Sequence, residues 1–245
     1  MWFMYFDPLY LLIMAVSILL SGACAVMVKA RFAAGRAVPL ASGQCGAEVA
    51  ARILYQAGID DVQVVEHRGF LSDHYNPMTK TLALSPEVFR GRHAAAAGVA
   101  AHEVGHAIQH ASGYALLGLR TALVPLASLG SNLGLWLVIF GIMLGSADQV
   151  AQGDHGLAYY LAIGGVGLFG LATVFAFITV PIEFDASARA KRQLADLGII
   201  RSGEETAHVR AVLNAAGLTY VAAAVIALMQ LLYWAMRAGL IGNRR

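Results

Sequence analysis

The order of apolar and polar positions divides the chain into long charge-free runs separated by shorter segments of mixed periodicity. Residues 9–28, 121–147, 155–182 and 211–236 contain no Asp, Glu, Lys or Arg. Each run has 20 residues or more, and about 20 apolar residues cross a bilayer as a helix. The runs predict four membrane spans, at about 9–28, 121–147, 157–182 and 215–236.

The segment after the first span changes character. Val49, Ile53, Leu54 and Ala57 recur at helical spacing within Gly43–Gly58. Val62–Glu66 alternates like a short strand. The loop Gly69–Met78 carries the turn dipeptide Asn76-Pro77, and Thr79–Leu84 reads as a second strand. Lys80 and Thr81 suit an edge position, where charge discourages unwanted pairing, so an extended peptide could add along this strand. Ser85-Pro86-Glu87 supplies a capping hydroxyl, a proline at the first helical position and an acid in the first turn. An Ala-rich helix is expected from about Arg92 to Ser112, closing at Gly113. After the third span, Pro181 predicts the start of a separate helix, Ile182–Leu197, stopped by Gly198. Ser202 and Glu205 are spaced as a capping box for a further helix up to about Gly217.

Charge orients this arrangement. Only 13% of residues are charged, against about 25% in a soluble domain. Residues 29–120 hold nine Lys and Arg and residues 181–210 hold five, whereas 1–8 and 148–154 hold none. Basic loops stay in the cytoplasm, so 29–120 and 183–214 are read as the cytoplasmic portions of one domain, 1–245. Four spans then put the C-terminal tail outside, although it carries Arg237, Arg244 and Arg245; its side stays open. The first span lacks the basic start of a signal peptide. Ser21 stands where a lipoprotein site at Cys24 would need Leu, so a retained anchor is expected. Cys24 and Cys45 form no disulfide framework. A net charge of +2 with no basic cluster beside aromatics gives no footprint for nucleic acid.

The chemistry concentrates in His102-Glu103-Val104-Gly105-His106. Residues four apart share a helix face, so both imidazoles can reach one ion. Zinc takes His nitrogens and, in catalytic sites, keeps one position open. Glu103 stands where it can take a water's proton and return it to a leaving amine. Gly105 is expected to keep the metal side of the helix uncrowded. A metzincin would carry Gly and His where this chain has Gln109 and Ser112, which excludes that subclass. His110 lies about 12 Å along the axis from His102, too far for one ion to join all three histidines. His110 and His93 are read as polar neighbours.

The third ligand should be an acid or His on another helix of the same side. Asp148, Asp154 and His155 belong to the outer loop. Glu183, at the head of the predicted Ile182–Leu197 helix, is the best candidate. An acid favoured there by the helix dipole is the plainer alternative.

The runs His102–His110, Gly69–Pro77, Pro181–Ser187 and Leu213–Tyr220 together resemble the YugP-like neutral zinc metallopeptidases of bacterial membranes. The resemblance covers nearly the whole chain. It implies a membrane zinc peptidase of gluzincin type, broadly similar to the HtpX-like proteases. In the HtpX-like pattern an Asp follows the metal-binding Glu by four residues; this chain has Ser187 there. Asp185, about 200° round the helix from Glu183, could support a ligand if the helix began irregularly. Asp73, His74 and Tyr75 could form an oxyanion-stabilising group or simply a turn.

The resulting expectation is a mainly α, multi-span membrane protein with a small α+β zincin-like cytoplasmic portion. It would hydrolyse peptide bonds near the cytoplasmic membrane surface. Glu103 would be catalytic, His102, His106 and Glu183 would hold zinc, and Asp185 would stand behind them. Substrates would be peptides or proteins, membrane-associated ones included, and the oligomeric state is open. The rival readings are a non-hydrolytic zinc-binding membrane scaffold and a metal transporter. Glu103 argues against the first and the uncharged spans against the second.

Overall fold

The computed structural model describes residues 7–69, 72–145 and 156–241. The chain is a mainly α membrane protein. Its helices are α1 (Pro8–Arg36), α2 (Gly46–Gln56), α3 (Pro86–Phe89), α4 (Ala94–Ala111), α5 (Ala115–Leu129), α6 (Leu135–Leu144), α7 (Leu157–Asp196) and α8 (Gly203–Arg237). A π-helical turn, Gly130–Gly134, joins α5 to α6. Its strands are β1 (Gln63–Glu66), β2 (His74–Asn76) and β3 (Thr81–Leu84). Four helical stretches are long and apolar enough to cross a membrane: α1, the Ala115–Leu144 run, α7 and α8. The chain divides into two compact units.

One unit comprises Met1–Gly22, Leu119–Val180 and Tyr220–Arg245. Here glycines let backbones meet. A Cβ on Gly130 would lie 2.2 Å from the Leu168 carbonyl, and one on Gly141 would lie 2.6 Å from the Ala162 nitrogen. Small residues serve this purpose wherever apolar burial cannot distinguish a partner helix from lipid. Val138, Ala162, Val166, Tyr233 and Trp234 form the buried centre. The Tyr233 hydroxyl donates to Asp7 Oδ2 at 3.0 Å, and Asp7 Oδ1 caps α1 by accepting from the Leu9 nitrogen at 2.9 Å. Arg237 lies 3.8 Å from the same Asp7 carboxylate. The last turn of α8 therefore lies beside the start of α1. Arg244, Arg245 and the 148–154 connection fall outside the described residues.

The other unit comprises Ala23–Gly118 and Pro181–Thr219. Val49, Ile53 and Leu54 on α2 pack with Ala97, Ala100, Val104 and Ala107 on α4, and with Leu194, Val209 and Val212 on α7 and α8. The sheet order is β1-β3-β2. β1 runs parallel to β3, and β2 runs antiparallel to it, with Tyr75 opposite Leu82. β3 is thus the central strand. Its N–H and C=O groups are paired on both sides, which overturns the expectation of an edge strand at Thr79–Leu84; Lys80 itself sits in the preceding turn at φ 50°.

Two helix boundaries also differ from expectation. Pro181 does not begin a helix: α7 runs unbroken from Leu157 to Asp196 with Pro181 inside it. The proline sacrifices the bond its nitrogen would have made to the Phe177 carbonyl, a loss that spanning helices tolerate. Glu183 is accordingly a mid-helix residue, so the dipole explanation for it lapses. Ser85-Pro86-Glu87 opens only the four-residue α3. The Ala-rich helix expected from about Arg92 is α4, which starts at Ala94 and is capped by His93, whose Nδ1 accepts from the Ala96 nitrogen at 3.1 Å. The box at α8 forms as expected, but the helix does not end near Gly217: α8 runs unbroken from Gly203 to Arg237. Ser202 Oγ accepts from the Glu205 nitrogen at 3.0 Å, and Glu205 Oε2 accepts from the Ser202 nitrogen at 2.8 Å.

Candidate metal centre

The candidate centre is built by α4 and α7. His102 and His106, one helical turn apart, turn their rings edge to face with centroids 4.8 Å apart. Glu183 projects from α7 and is only 2% exposed. Its Oε2 lies 3.2 Å from His102 Nε2 and 3.4 Å from His106 Nε2. One ligand atom from each of the three residues falls within 4.8 Å of the others, the one such group among the described residues.

These spacings suit a tetrahedral ion. Ligands at about 2.0–2.1 Å from zinc stand about 3.4 Å apart across a tetrahedral angle, close to both carboxylate–imidazole distances. Two imidazoles and one carboxylate supply a net charge of −1, enough to offset part of a divalent charge without closing the fourth position. Burial by itself would lower the pKa of His106. The bond to Glu183 and the charges of Glu103 and Glu183 outweigh it and hold the imidazole above its ordinary range. The pocket attracts positive charge, so protons and a metal ion compete for it. Glu103 is 8% exposed and stands one residue from His102 on α4.

Each histidine has a partner for its other nitrogen. His102 Nδ1 lies 3.1 Å from Ser187 Oγ, so a serine stands where the HtpX-like pattern has Asp. His106 Nδ1 lies 3.0 Å from Gln109 Oε1. Gln109 Nε2 donates at 2.8 Å to the Ile182 carbonyl and at 2.8 Å to Asp185 Oδ2. Asp185 also accepts from Arg189 Nε at 2.6 Å. It meets the centre through Gln109 from within the unbroken α7, and no irregular helix start is involved. Sequence reasoning missed Gln109 and Ser187. Their spacings, three after His106 and four after Glu183, put them on the faces of their helices that meet.

Gly105 has a different reason from the one expected. A Cβ there would lie 2.6 Å from the Ala186 carbonyl oxygen. The absent side chain admits the backbone of α7.

The remaining candidates stand apart from the cluster. His110 Nδ1 lies 2.8 Å from the Tyr75 hydroxyl. His74 Nδ1 lies 2.9 Å from the Ser72 carbonyl. The Asp73 carboxylate accepts from the Ser85 nitrogen at 2.7 Å and from its hydroxyl at 3.0 Å. Burial raises the Asp73 pKa more than these bonds lower it. Asp73 therefore ties the loop to the start of α3.

A family model described as "Putative neutral zinc metallopeptidase" matches residues 10–239. The chain belongs to this family. It is 42% identical over 209 residues to the "Putative membrane protease YugP" of Bacillus subtilis (strain 168), covering 85% of this chain and 87% of that one. No solved structure matches it. Zinc is the family's metal, and the donor set of two imidazoles and one buried carboxylate fits it.

Proposed function

We propose that the protein is a membrane-embedded peptidase that hydrolyses peptide bonds at a zinc ion held by His102, His106 and Glu183. The observation that carries this reading is the buried convergence of those three side chains with Glu103 next to the first of them. A set of ligands alone has no use for a second carboxylate adjacent in the chain. When bound, zinc polarises the scissile carbonyl and makes water a nucleophile at neutral pH. Glu103 accepts the proton that water loses and delivers it to the departing amine. His102 and His106 would hold the ion through their Nε2 lone pairs, and Glu183 would offset part of its charge. No covalent link to the protein forms.

The basic residues of 29–120 and 181–210 support a cytoplasmic site. Glu183 is the first charged residue after the charge-free run 155–182, which supports cleavage near the membrane surface and substrates that include membrane-associated peptides.

The test is Glu103→Gln in the full-length protein in detergent. It should retain about one zinc per chain yet lose digestion of a casein-type substrate by about 100-fold or more, since an amide cannot accept the proton. A metal-replete variant with activity near that of the parent would refute the mechanism.

A further inference from the structure

Gln109 is fully buried, at 0% exposure, and every polar atom of its amide is engaged. An amide has one acceptor oxygen and one nitrogen bearing two donors, and which end is which follows here from the partners. The Ile182 carbonyl can only accept. The Asp185 carboxylate, ion-paired to Arg189 at 2.6 Å, can also only accept. Both lie 2.8 Å from the same end of the Gln109 amide, so that end is the NH2. Flipping the amide would set its oxygen against two acceptors. The oxygen therefore faces His106 Nδ1, 3.0 Å away, and that contact is a hydrogen bond only if Nδ1 carries a proton.

We infer that Gln109 is a positioning residue that fixes His106 as the Nδ1–H tautomer and commits its Nε2 lone pair to the metal, with Asp185 and the Ile182 carbonyl fixing Gln109 in turn. The inference rests on His106 being a metal ligand, as proposed above. His102 is held differently. Its partner, Ser187, has a hydroxyl that both donates and accepts, so it steadies the ring without choosing a tautomer. The two ligands thus have unequal support: His106 is locked from Arg189 through Asp185 and Gln109, and His102 is only steadied. Arg189 is itself placed over the Tyr114 ring, 5.8 Å from its centroid. Losing Gln109 leaves His106 Nδ1, Asp185 and the Ile182 carbonyl short of a partner together.

The experiment compares full-length wild type, Gln109→Met and Ser187→Ala in detergent, by two readouts. The first is the ring 15N spectrum of zinc-free protein at pH 9, with Glu183→Ala added to every sample so that no carboxylate faces His106 Nε2, and with the His106 signals identified by their loss in His106→Asn. With Gln109 in place His106 should be protonated on Nδ1, and Gln109→Met should shift it toward the Nε2–H form; Ser187→Ala should leave it unchanged. The second is zinc affinity by chelator competition, expected to fall about 10–100-fold in Gln109→Met and less in Ser187→Ala. A His106 protonated on Nε2 with Gln109 in place overturns the inference even if neither Gln109→Met nor Ser187→Ala folds. So does a Gln109→Met protein that keeps both the Nδ1–H form and wild-type zinc affinity. Nδ1–H on His106 but no bound zinc in wild type would instead remove the proposed ligand set and leave the placement of Gln109 standing.

Discussion

Replacing Gly105 by alanine adds one carbon at the closest approach of the two helices that carry the candidate ligands. The new Cβ would lie 2.6 Å from the Ala186 carbonyl oxygen. A carbon–oxygen contact relaxes to about 3.3 Å, so α4 and α7 must part locally by roughly 0.7 Å. The obstacle is backbone, which has no rotamer to yield. Overpacking of this kind costs about 1–3 kcal/mol, and the better helix propensity of alanine returns no more than about 1 kcal/mol. Glu183 lies one turn before Ala186 and moves with it, away from His102 and His106, which it now meets at 3.2 and 3.4 Å. Metal sites tolerate displacements of about 0.2 Å. Gly105→Ala should therefore weaken zinc binding by about tenfold or more and lower the melting temperature by several degrees. Gly98→Ala is the control on the same helix. Its Cβ would meet only Val209, at 3.4 Å or more, an ordinary contact, so zinc affinity should hold steady and the melting temperature should hold or rise slightly. Chelator competition and thermal unfolding of the purified variants measure the two effects. Wild-type zinc affinity in Gly105→Ala would refute the claim that helix separation sets the ligand geometry.

Three further outcomes are expected. His102→Ala, His106→Ala and Glu183→Ala should each lose zinc by metal analysis, whereas His110→Ala should keep it; retention by Glu183→Ala would move the third ligand elsewhere. Burial, only partly opposed by Glu87, holds the pKa of the His93 imidazole below its ordinary range. The folded protein thus binds fewer protons there than the unfolded chain, and stability should fall as pH drops below about 6.5. His106 shifts the opposite way, so the His93 effect is read as the difference between zinc-free wild type and His93→Asn, whose side chain caps α4 without titrating. Parallel melting curves for the two proteins between pH 7.5 and 5 would disprove it. Finally, single cysteines at positions 61 and 192 in a Cys-free background should resist an impermeant reagent in intact cells, while position 152 and position 240, next to Arg237, react; the reverse pattern would invert the membrane orientation.

Much of this architecture was legible because its signals are local. A charge-free run of 20 residues has one plain use, and all four runs became helices able to span. Histidines four apart converge on any regular helix, and the Ser202–Glu205 box needs only the first turn of α8. Glu183 was reached by a different route: two imidazoles require a partner, and its acid stood beside a span. The signals that misled were local too, and distant contacts overrode them. Pro181 reads as a helix start because a soluble helix seldom accepts an interior proline, but a helix already running out of a span loses only one hydrogen bond by containing it. The charge and polarity of Lys80 and Thr81 suggested an edge. The three-residue β2, whose register places Asn76 opposite Thr81, makes β3 central, and a strand so short gives almost no periodicity to read.

The same reasoning explains why the candidate ligands were easier to pick out than the residues that touch them. A ligand is defined by its own chemistry and by spacing along one helix. Gln109 and Ser187 are defined only by what faces them across the α4–α7 packing, and an uncharged amide or hydroxyl carries no mark of that. The substitution of Ser187 for the Asp of HtpX-like proteins looked like a gap that Asp185 had to fill from the wrong side of the helix. In the folded chain, Ser187 keeps the contact to His102 at 3.1 Å, and Asp185 reaches His106 by way of Gln109. An amide between Asp185 and His106 passes on orientation but not a proton.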